Sequence, residues 1–585
     1  MNSFLKNKRL GYVRTLLDYS TKKRNLTKVV FLKLIAIVLS SLTPFFYNLF
    51  IDNVLTQRQL KIFAIVISGY TGVFLLQTLN SVVNTRIYAE LLIDITRNIK
   101  STLFSQFFAM KTKDYNGSSV GEKKNIIEND IDVVDNMIGT HFIDYYSQYI
   151  YAMILLVIML FLDWKLTFVS ILMIPLSFKF AKIMSKKAKK VSDDYRKEYS
   201  EYESFVWGEL YNYKEVKSNN LENKMVGMFK KYWDVLGGLF VKQQMLWFTN
   251  RTFVSFKDFF IVKMNLYFVG GIMIINGSLE LATLLVFLNY YTSFFNAVSV
   301  IMDCKVQIPA QEVKMQRITS VLEYQSGSTI PFEIDNNQID IKDISFSYDS
   351  DREAVLKNIS LTIDEGQRVS FVGKSGCGKT SLINLIYRLY EPDSGVIEMG
   401  GTDINQIDVY DYGSKISVVL QDPCFFNNTI RYNLTLVNRE ATDEMLYDTL
   451  EKVGMRELVA SSKDGLDTVI GENGIKLSGG QRQRLALCRV LLMDNDVIIL
   501  DEATSSLDSF NEAQIMNMIN GEDSGKTFIF VSHRLSTVYK SDMIYVMENG
   551  SVVAAGKHDE LKTECEPYKK LFKNQFKEVD AYENR

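Results

Sequence analysis

The sequence divides into an α-helical transmembrane domain of six spans over residues 1–320, a linker at 321–337, and an α/β nucleotide-binding domain over 338–585. Three features carry this reading. Long uncharged apolar runs crowd the first half, short β-branched runs alternate with helical segments after 338, and a glycine-rich loop of phosphate-binding pattern lies at 373–380 between one such run and a helix.

The spans come first in chain order. Val29 to Ile51 carries only Lys33 as a charge, and Ile62 to Val83, Tyr145 to Leu162, Met264 to Leu279 and Leu281 to Met302 carry none. Leu166 to Met184 is uncharged as far as Phe178. Each run approaches or exceeds the roughly 18 residues needed to cross a bilayer, and several lack the polar face that a helix at a soluble surface would show. Lys6, Lys8, Arg9, Arg14, Lys22, Lys23, Arg24 and Lys28 precede the first run, whereas the turn after the third is only Asp163-Trp164-Lys165. Excess positive charge stays in the cytoplasm, so the N-terminus is expected there. The first run is too long for a signal-peptide core and is expected to be a retained helix. Short outer turns near 52–60, 163–165 and 276–280 then alternate with long charged inner stretches at 85–140 and 180–258, which extend the spans into the cytosol. Lys33 and Lys263 lie closest to the apolar runs. Either their stems reach back to the headgroups or they line the inward-facing cavity and favour an anionic substrate.

Bulk composition excludes several function classes. Lys and Arg total 66 against 68 Asp and Glu, a formal charge of −2, so no basic field recruits nucleic acid. The five Cys include no CxxC pair and none before Cys304, which excludes a disulfide scaffold and a thiolate zinc site. Three His (His141, His533, His558) are too few and too scattered for a multi-histidine metal centre.

The chemistry is concentrated after residue 338. Gly373-Lys374-Ser375-Gly376-Cys377-Gly378-Lys379-Thr380 follows an apolar strand and opens the helical run from Ser381 to Leu389. Glycines let successive amides turn toward phosphate, and the positive end of the helix adds to the field. In this pattern Lys379 reaches the β and γ phosphates and Thr380 ligates Mg²⁺. Val497-Ile498-Ile499-Leu500-Asp501-Glu502 is a buried strand ending in two carboxylates: Asp501 can hold Mg²⁺ through water and Glu502 can polarise the attacking water.

Between these motifs, Leu477-Ser478-Gly479-Gly480-Gln481 resembles the signature of the ATP-binding-cassette (ABC) family, with a Gly-Gly pair that allows close backbone approach to phosphate. The resemblance implies that Ser478, Gly479, Gly480 and Gln481 complete the nucleotide site of an opposite subunit, with two ATP molecules sandwiched between two cassettes. It implies further that Gly373, Ser375, Gly376, Cys377, Gly378, Lys379, Thr380 and Ser381 contact nucleotide, that Tyr348 stacks on adenine, and that Asp508 crosses to the other subunit. Gln421 resembles the glutamine of the Mg²⁺ and water site, which makes Thr380, Gln421 and Asp501 the metal set. His533 resembles the switch histidine and joins Glu502 and Gln421 as a catalytic residue.

Six spans ahead of one cassette are similar to an exporter-type half-transporter. Gly121-Glu122, Asn129-Asp130, Glu215-Val216-Lys217 and Glu472 resemble the exporter's coupling elements, so segments 117–128 and 206–216 are expected to dock near Gln421 and Glu472. The implied function is ATP-driven export, by alternating access, of a peptide or other amphipathic compound from the cytoplasm or inner leaflet. A lipid flippase, a multidrug exporter and an ATP-gated channel or regulatory membrane protein remain alternatives. The implied cofactors are ATP and Mg²⁺; the implied partners are the bilayer, the transported substrate and a second half-transporter. A homodimer is sufficient, because one intact chain supplies both halves of both sites. A heterodimer remains open.

Overall fold

The computed structural model describes residues 11–575 apart from 52–59, 173, 257–261, 325–335, 349–352, 504–511, 513–514, 517–518, 520–524 and 574. The chain forms two compact units. One comprises Met1–Phe108 and Ser119–Tyr324, the other Ala109–Ser118 and Gln325–Arg585. The change of unit after Tyr324 falls inside the expected linker, most of which lies outside the described residues.

The first unit is helical throughout its regular structure: α1 (Arg24–Leu49), α2 (Leu60–Ala109), α3 (Thr112–Asn116, which belongs to the second unit), α4 (Val120–Glu128), α5 (Tyr145–Leu162), α6 (Trp164–Leu172), α7 (Ile174–Tyr211), α8 (Glu222–Phe256), α9 (Met264–Ile275) and α10 (Leu281–Leu322). Among the described residues four segments are long and apolar enough to cross a membrane: Arg24–Tyr47, Lys61–Ala109, Val120–Leu162 and Leu281–Cys304. Met264–Ile275 is apolar but shorter, and the run from Leu166 is divided between α6 and α7 at residue 173, outside the described residues. Four of the six expected spans are thus met at full length among the described residues.

Apolar side chains in these helices point outward as well as inward. Phe31, Leu75, Leu79 and Phe268 are exposed, an arrangement that water would penalise and acyl chains would not. Inside, Leu155 and Met159 of α5 pack on Phe287 and Tyr291 of α10 in a fully buried seam. Lys33 on α1 is paired with Asp144, Nζ to Oδ1 2.9 Å. Its charge thus has a carboxylate partner, a circumstance neither sequence-based reading of Lys33 includes.

The second unit holds two sheets. Strands β1 (Ile339–Phe346), β2 (Leu356–Ile363), β4 (Ser394–Met399) and β5 (Thr402–Asp403) form an antiparallel sheet in the order β2-β1-β4-β5. Strands β3 (Arg368–Val372), β6 (Ile416–Val419), β7 (Val497–Asp501), β8 (Thr527–Val531), β9 (Met543–Glu548) and β10 (Ser551–Gly556) form the other, in the order β10-β9-β3-β8-β7-β6. Within it β9, β3, β8, β7 and β6 run parallel. A parallel sheet is covered on both faces, which is why β7 and β8 are continuous apolar runs buried at every position rather than alternating.

Ala109–Ser118 belongs to this second unit although the chain enters it directly from α2. Lys111 Nζ pairs with Glu391 at 2.8 Å, and Asn116 Nδ2 donates to the Tyr390 hydroxyl at 3.2 Å. The partners of Lys111 and Asn116 are thus Glu391 and Tyr390, contacts that lie just ahead of the segment 117–128 expected to dock. A charge match across more than 270 positions leaves no local pattern to read.

Candidate functional site

Open α/β sheets bind ligands beyond the carboxyl ends of their parallel strands, and the adjacent strands β3, β8, β7 and β6 each end in an expected site residue. Gly373 follows β3, His533 lies two residues beyond β8, Asp501 ends β7 with Glu502 next, and Gln421 lies two residues beyond β6. Strand order alone therefore gathers residues spread over 160 positions.

The phosphate loop depends on glycine at both ends of its bend. A Cβ on Gly373 would lie 2.3 Å from the Met547 carbonyl oxygen. Gly378, at φ +105°, would place one 2.6 Å from Leu356 Cδ2. The helix α11 (Lys379–Ile386) starts immediately after, with Lys379 and Ser381 buried. Lys379 Nζ donates to the carbonyls of Gly373 at 2.8 Å and Lys374 at 3.1 Å. Carbonyl oxygens orient the ammonium without neutralising its charge, so the loop holds a fixed cation. Cys377 is buried beside it, its Sγ 3.8 Å from Nζ.

Asp501 is almost wholly buried, and neither carboxylate oxygen has a hydrogen-bond partner of proper geometry in the protein. Burial pushes its carboxyl above the ordinary carboxylate range; Glu502 adds to this, while the nearby Thr380 hydroxyl and Lys379 pull it back. A buried, unsatisfied carboxylate beside a threonine hydroxyl fits a hard divalent cation. Among the described residues no cluster of three or more His, Cys, Asp or Glu could hold a metal alone, which suits Mg²⁺, since that ion takes one or two protein carboxylates and completes its shell with phosphate and water.

Glu502 is held at every polar group. Its N–H donates to the Val531 carbonyl at 2.9 Å. Its carbonyl accepts from Gln483 Nε2 at 3.3 Å. Gln421 Nε2 donates to Oε2 at 3.0 Å, and His533 Nε2 lies 2.9 Å from Oε1. The backbone sits at φ +49°, a left-handed conformation that costs a non-glycine residue about 1–2 kcal/mol. These surrounding bonds offset that cost and fix the carboxylate plane. Burial lowers the His533 pKa first and Lys379 repels its proton further, against the opposing pull of Glu502. The imidazole is therefore neutral at pH 7 and can donate Nε2–H to Glu502.

Ser478 caps the helix α12 (Gly479–Met493). Its hydroxyl accepts from Gln481 N at 3.3 Å while Gln481 Oε1 accepts from Ser478 N at 2.8 Å, a reciprocal capping box. Gly479 and Gly480 make the first turn, leaving an amino end without bulky side chains in front of it. Tyr348 is half-exposed. Its ring meets Phe346 and Tyr390 edge-on at 4.9 and 5.2 Å, and its hydroxyl bonds Ser381 at 3.0 Å. Asp508 lies outside the described residues.

Three supporting residues escape sequence reading. Gln483, in the second turn of α12, connects the signature helix to Glu502. Glu512 accepts from Ser536 at 2.7 Å, Thr537 at 3.1 Å and Arg534. Gln575 grips the same loop from the other side: its Nε2 donates to the His533 carbonyl at 3.2 Å and its Oε1 accepts from Leu535 N at 2.8 Å. No spacing rule links a glutamine to a histidine 42 positions earlier.

Comparison with known proteins covers both units. The family model for the ABC transporter transmembrane region matches residues 26–298, and that for the ABC transporter matches 356–505. A Bacillus subtilis (strain 168) protein, named as an ATP-binding/permease protein of multidrug export, is 29% identical over 487 residues, covering 81% of this chain and 83% of its own. A similarly named protein of Staphylococcus aureus (strain NCTC 8325 / PS 47) is 29% identical over 484 residues, with 82% and 83% covered. The solved structure of a bacterial Atm1-family ABC exporter with ATP bound shares the fold, with a TM-score of 0.84 at 21% identity over 95% of this chain and 99% of that one.

Proposed function

The chain belongs to the ABC transporter family, with the transmembrane region and the ATP-binding cassette in one polypeptide, and from that premise we propose that it works as a homodimer exporting amphipathic compounds from the cytoplasm or inner leaflet. It is a multi-pass membrane protein whose ATP hydrolysis is coupled to transport. The multidrug-export names of its relatives support an amphipathic small molecule over a peptide or a lipid as the transported class.

The observation that carries the reading is the clamp on Glu502. A carboxylate held at one oxygen by Gln421 and at the other by His533 is preorganised to accept a proton from water, which a gating site without turnover does not need. In this reading Gly373, Ser375, Gly376, Cys377, Gly378, Lys379, Thr380 and Ser381 cradle the triphosphate, Tyr348 faces the adenine, and Ser478 to Gln481 with Asp508 serve the site of the second subunit. Thr380, Gln421 and Asp501 would hold Mg²⁺, which when bound neutralises charge on the phosphate oxygens. ATP between the cassettes draws the two subunits together, and its hydrolysis releases them, so the spans alternate between inward and outward openings.

Purifying this chain alone tests the proposal. A dimer with ATPase activity that Glu502→Gln lowers by about 10² or more, while ATP still binds, supports it. A folded protein that turns over ATP only with a different cassette subunit contradicts the homodimer.

A further inference from the structure

Tyr348 lies two residues beyond β1 and is 44% exposed, so burial alone does not hold its ring. Three supports within the second unit do. Its hydroxyl bonds Ser381 of the phosphate cradle at 3.0 Å and accepts from Asn384 Nδ2 at 3.4 Å, both residues of α11. Phe346 meets the ring at 76° and 4.9 Å, and Tyr390 meets it at 89° and 5.2 Å. The hydroxyl bonds fix only the far end of the side chain. Rotation of a tyrosine ring about its long axis is intrinsically soft, so the perpendicular neighbours set its plane.

Those two neighbours are held differently. Phe346 ends β1 and is buried in the core of the cassette. Tyr390 is only half-buried and packs on that core from its edge, 5.6 Å from the Phe346 ring. What secures it is polar: its hydroxyl accepts from Asn116 Nδ2 at 3.2 Å, and the next residue, Glu391, pairs with Lys111 at 2.8 Å. Asn116 lies 274 positions before Tyr390. A base stacks well only on a ring whose plane lies parallel to its own, so the seat of the base depends on Tyr390 and, through it, on Asn116. The triphosphate is held by the glycine-rich loop and has no such dependence.

We propose that Tyr390 is a positioning residue for the nucleotide base: it holds the plane of the Tyr348 ring, and the Asn116 contact holds Tyr390. The proposal rests on the reading of Tyr348 as the residue that faces adenine. It is tested on the full-length protein in nanodiscs, by equilibrium binding of the magnesium complexes of ATP and of inorganic tripolyphosphate. The second ligand carries the phosphates without a base, so damage to the loop and damage to the base seat are read apart.

Tyr348→Ala weakens ATP binding by about tenfold, within the range for one base stacked on one ring. Tyr390→Leu weakens it by about fivefold, the scale of one edge-to-face aromatic pair. Tyr390→Phe keeps the ring and loses only the Asn116 bond, which weakens ATP binding by about twofold. Tripolyphosphate binding is unchanged in all three. Added to Tyr348→Ala, Tyr390→Leu has no further effect, because it acts only through that ring. Equal weakening of both ligands by Tyr390→Leu, unchanged ATP binding in that variant, or its full fivefold loss in the Tyr348→Ala background overturns the proposal. If Tyr348→Ala itself leaves ATP binding unchanged, the adenine reading fails and the proposal with it; if Tyr348→Ala weakens ATP binding and Tyr390→Leu does not, the proposal alone fails. Should Tyr390→Leu not fold, Asn116→Leu at an exposed position decides. About a twofold loss for ATP alone supports the proposal, and no loss, or an equal loss for tripolyphosphate, overturns it.

Discussion

Gln575 touches neither nucleotide nor Glu502, yet removing its side chain should slow ATP turnover. Gln575→Ala deletes two bonds to the backbone around His533: the 3.2 Å bond to the His533 carbonyl and the 2.8 Å bond from Leu535 N. A hydrogen bond of this type contributes a net of about 0.5–1.5 kcal/mol, so the pair has an upper limit near 3 kcal/mol. His533 is 39% exposed at its side chain, and water can replace part of what is lost, which brings the expected cost to about 1 kcal/mol. Since 1.4 kcal/mol is a factor of about ten, the population of loops presenting Nε2 to Glu502 falls roughly fivefold. Steady-state ATPase of the purified protein should show that fall in kcat with KM for ATP unchanged, because the phosphate loop is untouched. Gln575→Glu keeps the acceptor for Leu535 N and should recover part of the loss. A kcat within about 1.5-fold of wild type, or an effect confined to KM, refutes a positioning role for Gln575.

Further outcomes follow from the same geometry. His533 has its pKa held below the ordinary 6.5, so the unfolded chain binds the proton more readily and His533 costs stability as pH falls below about 6.5. The acid-side loss of melting temperature in wild type should accordingly be smaller in His533→Asn, as a thermal melt series across pH 5–7.5 would read. Asp501 has its pKa raised by burial, hence its ionised form destabilises the nucleotide-free protein above that pKa. Asp501→Asn should melt no lower than wild type without nucleotide but lose the extra stabilisation by Mg²⁺ with ATP, and a lower melt would show that the carboxylate has an unsuspected partner. Gly378→Ala pushes a Cβ against Leu356 at φ +105°, a strain of about 1–2 kcal/mol or more; it should weaken ATP binding as measured with a fluorescent analogue, and full affinity would contradict the proposed loop geometry.

Where the candidate site is built from short motifs, its local geometry was largely legible. The phosphate loop, the strand ending in Asp501 and Glu502 and the Ser478 signature each carry their structural reason within a few residues: glycine at a strained bend, an apolar run for a doubly covered strand, a cap before a helix. Contacts between distant segments left no such trace. Gln483 reaching Glu502, Gln575 gripping the His533 loop and Lys111 meeting Glu391 are made by ordinary surface residue types whose partners are fixed only when strands and helices pack. The membrane half shows the same limit. Hydropathy located apolar runs, but whether a run is one long helix or two segments depends on packing, and only four among the described residues reach spanning length and composition. Lys33 shows why a lone intramembrane charge misleads, since its partner Asp144 lies 111 positions away.

The central claim is that this chain, paired with a second copy of itself, spends ATP to move an amphipathic compound outward. It is tested most directly in proteoliposomes holding this chain alone with the cassettes facing outside, so that export appears as accumulation of a fluorescent lipophilic amphiphile in the lumen. ATP-dependent accumulation in wild type, absent with Glu502→Gln at equal reconstitution, is the predicted result. Equal accumulation by the two proteins, or ATP hydrolysis by wild type without accumulation of cationic, neutral or anionic amphiphiles, would contradict it.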